Sequence, residues 1–191
     1  MAGGLRKAAR AGDLAALRSL LEGGADPNSL GECGISGWSP LHSAAAEGSA
    51  EAAGLLLDAG AQVDSAEATG WTALFQCAQY NHVATVELLL ARGAGANHRA
   101  SEGEAALHWA ARSGAAGACR ALLAAGADAG AKNAEGETAL DLATQRGREE
   151  VVALLAADAA PVAAGGAAKS AAGEGGAAEG GAGKRQRVGG E

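Results

Sequence analysis

The side chains of this sequence most able to carry out chemistry belong to its histidines and cysteines. They are His42, His82, His98, His108, Cys33, Cys77 and Cys119. A zinc site needs ligands at short spacings, such as two cysteines separated by two residues, and none of these residues are spaced in that way. They also do not form a set of nucleophile, base and carboxylate. The sequence therefore predicts no metal, no cofactor and no enzyme activity.

Near the C-terminus, Gly183 and Lys184 have the order found at the end of a phosphate-binding loop. The other positions do not fit, because Ala178 stands where the loop needs its first glycine and Arg185 where it needs serine or threonine. The run from Lys184 to Arg187 also matches a minimal nuclear-import signal. The alternative interpretation is a basic tail that only aids solubility.

A repeat of 33 residues organises most of the chain. Glycines recur at Gly37, Gly70, Gly103 and Gly136, and leucines recur at Leu41, Leu74, Leu107 and Leu140. Such a period is typical of a stacked array, in which each unit contacts only its neighbours. The units are predicted at residues 1–33, 34–66, 67–99, 100–132 and 133–156. This array, residues 1–156, is the predicted folded domain.

Each unit carries the signals of two short helices. Ser39-Pro40 and Thr72 are typical starts of a first helix, and Asn81 is typical of a helix end in left-handed conformation. Unit four departs from this pattern, because Ala105 replaces the capping residue and Gly117 falls within the second helix. We therefore expect unit four to be the least stable interior unit, and replacement of Gly117 by alanine to stabilise it.

Charge and composition exclude several classes of partner. Of the 191 residues, 48% are apolar, and the net charge of −7 lies in residues 1–156, which carry 11 basic and 18 acidic side chains. Nucleic-acid binding needs a basic face, which this balance does not favour. No apolar run is long enough to span a membrane or to act as a signal peptide. These features predict a monomeric protein of the cytoplasm, or of the nucleus if the basic run is an import signal.

The last segment, residues 157–191, differs in composition from the array. Alanine and glycine make up 22 of its 35 residues, and no periodicity continues into it. Such a segment cannot bury enough apolar surface to offset the entropy lost on ordering. The sequence predicts a disordered tail.

The repeat resembles the ankyrin repeat family. The matching stretches are GWSPLHSAA at 37–45, GWTAL at 70–74, ALHWAA at 106–111 and GETALDLA at 136–143. The resemblance implies an all-α repeat solenoid of five helix-turn-helix repeats with a β-hairpin finger at each junction. It also implies that His42 and His108 hold the helix starts through hydrogen bonds. Phe75 and Ala105 depart from the family pattern.

The same resemblance implies a non-catalytic scaffold or adaptor, which binds a protein through the concave inner-helix face and the fingers. The candidate partner-binding residues are the aromatic Trp38, Trp71 and Tyr80, together with Glu102, Glu104, Arg112, Glu135 and Glu137. The four glutamates are predicted to form an acidic edge that suits a basic segment of the partner. The alternatives are local packing for the aromatic residues and simple solvation for the charges. Trp109 is expected to be partly buried between repeats.

The cysteines suggest a second function. Cys77 and Cys119 occupy positions that hold small apolar residues in the other units, so both are expected to be buried. Cys33 lies in a longer loop and could be exposed and reactive. The alternative function is therefore a regulatory subunit with a redox-sensitive thiol at Cys33.

Overall fold

Ten helices account for the regular structure in a computed structural model that describes residues 2–30 and 37–159. They are α1 (Ala2–Ala11), α2 (Leu14–Glu22), α3 (Pro40–Ala46), α4 (Ala50–Asp58), α5 (Ala73–Gln79), α6 (Val83–Ala91), α7 (Ala106–Ser113), α8 (Ala116–Ala124), α9 (Ala139–Gln145) and α10 (Glu149–Ala159). No β-strand occurs in these described ranges. Within the same ranges, no helix combines the length and the hydrophobicity that a membrane span requires.

The helices stack in two rows. The first-helix row contains α1, α3, α5, α7 and α9, and the second-helix row contains α2, α4, α6, α8 and α10. Each helix contacts its neighbours in the same row, and each odd-numbered helix contacts the even-numbered helix that follows it. The protein is an all-α repeat solenoid, as the 33-residue period predicts.

Repeated leucines and alanines form the core between the rows. Leu41, Leu74 and Leu107 are at most 1% exposed, and burial of each leucine contributes about 1.5–3 kcal/mol. Leu140, at the same position in the last described helix pair, is only half-buried, because no further pair among the described residues covers it. Alanines on the first helices, such as Ala44 and Ala110, are fully buried and allow close packing between helices.

The first helices begin in different ways. The Thr138 hydroxyl accepts from the Asp141 amide at 3.2 Å, as expected for a capping threonine. Thr72 is the N-cap residue of α5, as predicted, but its side chain makes no capping bond and its buried Oγ1 has no partner among the described residues. Phe75 stands where units two and four have a histidine. The polar ring that Ser39 contacts in unit two is therefore missing beside Thr72.

Asn81 ends α5 and also supports the start of α8. Its φ of 59° confirms the left-handed helix end expected from the sequence. In addition, its Oδ1 accepts from the Ala118 amide at 2.9 Å, and α8 has no side-chain cap at Ala115. A residue of unit three thus satisfies a free amide at the start of a helix in unit four.

The expectation that alanine at Gly117 would stabilise unit four is contradicted by the packing. A Cβ atom on Gly117 would lie 2.5 Å from Cγ2 of Val83 and 3.1 Å from Oδ1 of Asn81. Gly117 lies in the first turn of α8, where its missing side chain lets α6 and the Asn81 amide approach closely. The glycine that looked like a defect in the sequence is a contact point between units three and four.

The fingers are hydrogen-bonded turns, and the predicted β-hairpins are not formed as strands in the described residues. Each turn is closed by two backbone hydrogen bonds at 2.9–3.0 Å. One runs from Glu67 N to Trp71 O, from Ala100 N to Glu104 O and from Asn133 N to Glu137 O, and the other is donated back by the turn glycine to the first of these residues. Neighbouring turns are joined by one backbone hydrogen bond each, from Ser101 N to Thr69 O and from Ala134 N to Glu102 O, both at 2.9 Å, and the Ser101 hydroxyl also donates to Thr69 O at 2.7 Å. These bonds are too few in succession to make a strand ladder.

Two parts of the sequence prediction lie outside the described residues. The redox candidate Cys33 falls in residues 31–36, and almost all of the proposed tail lies beyond residue 159. The last helix continues to Ala159, past the expected end of the array at 156. Alanine, which has the highest helix propensity, occupies two of the three added positions.

Candidate functional site

All four histidine rings form hydrogen bonds with backbone carbonyl oxygens. The bonds of His42 and His82 reach a neighbouring unit, and those of His98 and His108 stay within their own unit. The Nε2 atoms of His42, His82, His98 and His108 lie 3.0–3.1 Å from the carbonyl oxygens of Trp71, Ala46, Gly70 and Ala131, respectively. Within the described ranges, no three histidine, cysteine, aspartate or glutamate residues are grouped as a metal site requires. His42 and His82 therefore join units two and three, whereas His98 and His108 link distant parts of a single unit.

His42 and His108 also hold the starts of their helices. The backbone amides of Ser39 and Ala105 donate to Nδ1 of these rings at 3.3 and 3.1 Å. Nδ1 is then an acceptor, so the ring hydrogen lies on Nε2 and is donated to a backbone carbonyl, that of Trp71 for His42 and that of Ala131 for His108. Burial lowers the pKa of both rings, which favours this neutral form.

The two described cysteines are unreactive. Cys77 and Cys119 are fully buried, as the sequence predicts, and burial raises the pKa of each thiol to about 12. The thiolate is the nucleophilic form of cysteine, and it is scarcely populated at neutral pH with such a pKa. Neither of these thiols supports a redox function.

Aromatic and charged side chains of units three and four form a cluster beside the turns. The ring centres of Trp71 and Trp109 are 4.4 Å apart in an edge-to-face arrangement. The guanidinium of Arg112 lies over the Trp109 ring, with 4.7 Å between the guanidinium carbon and the ring centre. The same guanidinium forms an ion pair with Glu104. These four residues line a cavity of about 360 Å³, the central hollow.

The prediction that Glu104 belongs to an exposed acidic edge is wrong. This residue is only 3% exposed and is neutralised by Arg112, so it cannot present a free carboxylate to a partner. Glu102 and Glu135 are exposed. Glu137 is partly exposed and accepts from Gln145 Nε2 at 2.6 Å, and this hydrogen bond is the main cause that lowers its pKa. The acidic edge therefore consists of Glu102, Glu135 and Glu137.

A second cavity, of about 630 Å³, lies at the N-terminal end of the first-helix row. Its lining includes Lys7 and Arg10 on α1, Ser43 and Ala46 on α3, and Tyr80 at the end of α5. The short side chains of Ser43 and Ala46 leave space between the longer ones of the two flanking helices. We call this cavity the N-terminal hollow; Gly3, Arg6, Trp38 and Glu47 complete its lining.

The three aromatic candidates do not form one cluster. Trp71 lines the central hollow, whereas Trp38 and Tyr80 line the N-terminal hollow. Trp38 is half-buried with its ring centre 6.1 Å from that of His42, and Tyr80 is 56% exposed. Trp109 is partly buried between units, as expected. The aromatic groups are thus divided between two sites on the first-helix row.

The basic side chains of α1 were missed by the sequence analysis, although the repeat register contains the signal. Lys7 and Arg10 occupy the positions that Trp109 and Arg112 hold in unit four. The insertion between units one and two shifts this register by three residues. When α1 is aligned with the other first helices and the three inserted residues are allowed for, its charged residues lie on the same face as the candidate partner-binding residues.

Comparison with known families agrees with the period and the paired helices. A protein-family model described as "Ankyrin repeats (3 copies)" matches residues 5–101 and again residues 93–164. No curated protein matches the chain in sequence. The matched residues include every helix of both rows except the first part of α1.

Proposed function

The chain belongs to the ankyrin repeat family, and we propose that it is a non-catalytic scaffold or adaptor that binds a protein partner through its first-helix row and turns. Ankyrin repeats in general are protein-interaction modules. We assign the concave face and the fingers expected from the sequence to the first-helix row and its turns. The partner is a protein that contacts several consecutive units at once.

The observation that carries this proposal is the difference between the two rows. The first-helix row opens two cavities lined by tryptophan, tyrosine and arginine, the residue types that dominate binding energies at protein interfaces. The second-helix row instead exposes charged side chains such as Glu51, Glu87 and Arg120. Charged surfaces of this kind are typical of solvated helix faces.

The central hollow has the properties of an interface hot spot. Trp71 and Trp109 pack edge to face, and Arg112 is held by both stacking and its ion pair with Glu104. Groups fixed in this way lose little conformational freedom when a partner binds. We therefore place the strongest contacts of the interface in this hollow.

The acidic edge indicates a second property of the partner. Glu102, Glu135 and Glu137 lie on successive turns next to the central hollow, and a basic segment of the partner would complement them. Exposed charges of this kind mainly accelerate association and are screened by salt. Replacement of the three glutamates by glutamine should slow association at low ionic strength and have little effect at high ionic strength.

The experiment that tests the proposal is affinity purification with the full chain, followed by mass spectrometry. Trp71→Ala and Tyr80→Ala alter the first-helix row, and Glu87→Ala with Arg120→Ala is the matched control on the second-helix row. We expect partner proteins to be lost with either first-row variant and retained with the control. Loss only with the control would overturn the proposal. Circular dichroism must show that each variant is folded.

The location of the protein is proposed as the cytoplasm, with entry to the nucleus if the run Lys184–Arg187 acts as an import signal. The run carries three basic residues, whereas the rest of residues 157–191 carries four acidic residues and one lysine. A fusion with a large cargo protein prevents passive entry into the nucleus. Replacement of Lys184, Arg185 and Arg187 by alanine should abolish nuclear enrichment of this fusion, and unchanged enrichment would contradict the import role.

A further inference from the structure

We propose that the N-terminal hollow binds an acidic segment of the partner protein. The carboxylates of this segment would pair with Arg6 and Lys7, and an apolar side chain of the same segment would pack against Trp38 and Tyr80. The inference rests on the proposed function, because it names the chemistry of the partner at one end of the first-helix row. It predicts a contact opposite in charge to the acidic edge at the other end.

The charge of this hollow differs from that of the whole protein. Three basic residues and one acidic residue, Glu47, line it, whereas the whole chain has a net charge of −7. The acidic residue is engaged by Arg10 in an ion pair of 3.3 Å. Among the residues that the structure describes, neither Arg6 nor Lys7 forms an ion pair. Two positive charges therefore remain available to a ligand.

The shape of the hollow suits a short peptide segment. Its volume of about 630 Å³ falls within the range of cavities that hold small ligands, about 300–1,000 Å³. Ser43 and Ala46 leave room for an inserted side chain between α1 and α5. Trp38 and the largely exposed Tyr80 supply the apolar surface for such a side chain.

A long polyanion does not fit the surroundings of this hollow. A nucleic acid that continued along the first-helix row would approach Glu102 and Glu135, which are exposed, and the repulsion would oppose binding. The chain's own basic run at Lys184–Arg187 has the wrong sign for this hollow. A short acidic segment avoids both difficulties, because its negative charges are needed only near α1.

The probe is a random peptide library displayed on phage and selected against the full chain. We expect the selected sequences to be enriched in aspartate and glutamate next to an apolar residue. One selected peptide is then synthesised with a fluorescent label, and its affinity for each variant is measured by fluorescence anisotropy. Peptides without acidic enrichment, or failure to select any peptide, would overturn the proposal.

Three variants examine the charge and the shape separately. Arg6→Gln with Lys7→Gln removes charge, and Ala46→Gln fills the hollow with the residue found at the same position in units three and five. Each should weaken peptide binding by about tenfold or more. The control Arg18→Gln removes an exposed charge from α2 in the same unit, and it should leave the affinity within about twofold.

Unchanged affinity in the variant of Arg6 and Lys7 would contradict the proposal. Circular dichroism establishes that the variants are folded. We expect the variant of Arg6 and Lys7 to fold, because Lys7 is exposed. If substitution of Trp71 weakens binding of the partner protein but substitution of Arg6, Lys7 or Ala46 does not, the proposed function stands and this inference fails. If substitution of none of these four residues weakens binding, both fail.

Discussion

The guanidinium of Arg112 connects a buried carboxylate to an aromatic ring, since it pairs with Glu104 and lies 4.7 Å from the centre of Trp109. Glu104 comes from the turn before α7 and Arg112 from near the end of that helix, so the pair spans the first helix of unit four. The Glu104 carboxylate has no other cation partner among the described residues. The pair fixes Trp109 and Arg112 as one surface of the central hollow.

Removal of the arginine should cost more stability than removal of the carboxylate charge. Arg112→Gln leaves a carboxylate buried without a counter-charge, and we expect a loss of about 2 kcal/mol or more. Glu104→Gln leaves Arg112 over Trp109 and partly hydrated, and the expected loss is about 1 kcal/mol or less. Urea unfolding measures both values. A smaller loss for Arg112→Gln than for Glu104→Gln would contradict this account of the pair.

Substitution by alanine should change the stability of the protein in opposite directions at two helical glycines. Gly117→Ala is expected to destabilise the protein by about 1–3 kcal/mol, because its Cβ would approach Val83 and Asn81 too closely. Gly54 in α4 is the matched control, since the nearest atom to its Cβ would be 3.9 Å away. Gly54→Ala should stabilise the protein by about 0.5–1 kcal/mol through helix propensity.

Thermal unfolding followed by circular dichroism compares the two glycine variants with the wild type. If alanine raises the melting temperature at both positions, the proposed contact between units three and four at Gly117 does not exist. Hydrogen exchange of the Ala118 amide, which donates to Asn81, should be faster in the Gly117→Ala variant.

Replacement by valine should also have different effects on stability at two threonines that begin equivalent helices. The Thr72 hydroxyl is buried without a partner, so Thr72→Val should leave stability unchanged or raise it by about 1 kcal/mol. The Thr138 hydroxyl accepts from the Asp141 amide at 3.2 Å and donates to the Asp141 carboxylate at 2.7 Å. Thr138→Val should therefore cost about 1–2 kcal/mol. Equal losses on urea unfolding would show that Thr72 has a partner after all.

Stability should fall as the pH drops below the ordinary histidine pKa of 6.5. Burial lowers the pKa of His42 and His108, partly opposed by the carbonyl bonds and by Glu67 and Glu104. The unfolded chain therefore takes up protons just below pH 6.5 while the folded chain does not, which favours unfolding. Each unit of lowered pKa is equivalent to about 1.4 kcal/mol. Above about pH 7 this effect is absent.

Urea unfolding at about pH 7.5 and 5.5 measures this loss. The double variant His42→Asn with His108→Asn should be less stable than the wild type at the higher pH. Its free energy of unfolding should, however, fall less than that of the wild type between the two pH values. Glu137 and Asp141, whose pKa values are lowered by hydrogen bonds, affect stability only at still lower pH. A wild type whose stability is equal at both pH values would exclude neutral buried histidines.

The sequence predicts most of the fold because the strongest signals are local and repeated. The leucine and glycine positions fix the register, and Asn81 at a helix end follows from backbone preference alone. The roles of Gly117 and of the Asn81 side chain could not be predicted in this way. Both depend on contacts between residues about one repeat apart, whose side chains are brought together only by stacking.

The candidate site was less predictable than the fold. Glu104 has the sequence context of an exposed finger residue, and only the folded α7 brings Arg112 to it. The N-terminal hollow depends on the absence of bulk at Ser43 and Ala46, beside long residues on other helices. A gap of this kind is a property of three helices together, and no single stretch of sequence contains it.

The measurement that tests the central claim most directly is site-specific photo-crosslinking of the full chain in cells. A photoreactive phenylalanine analogue replaces either Tyr80 at the end of α5 or Glu87 on α6. Both positions are exposed and lie in the same unit, but they belong to different rows. The account predicts a discrete protein adduct from position 80, weakened by Trp71→Ala, and no such adduct from position 87. A discrete adduct from position 87 alone would contradict binding through the first-helix row.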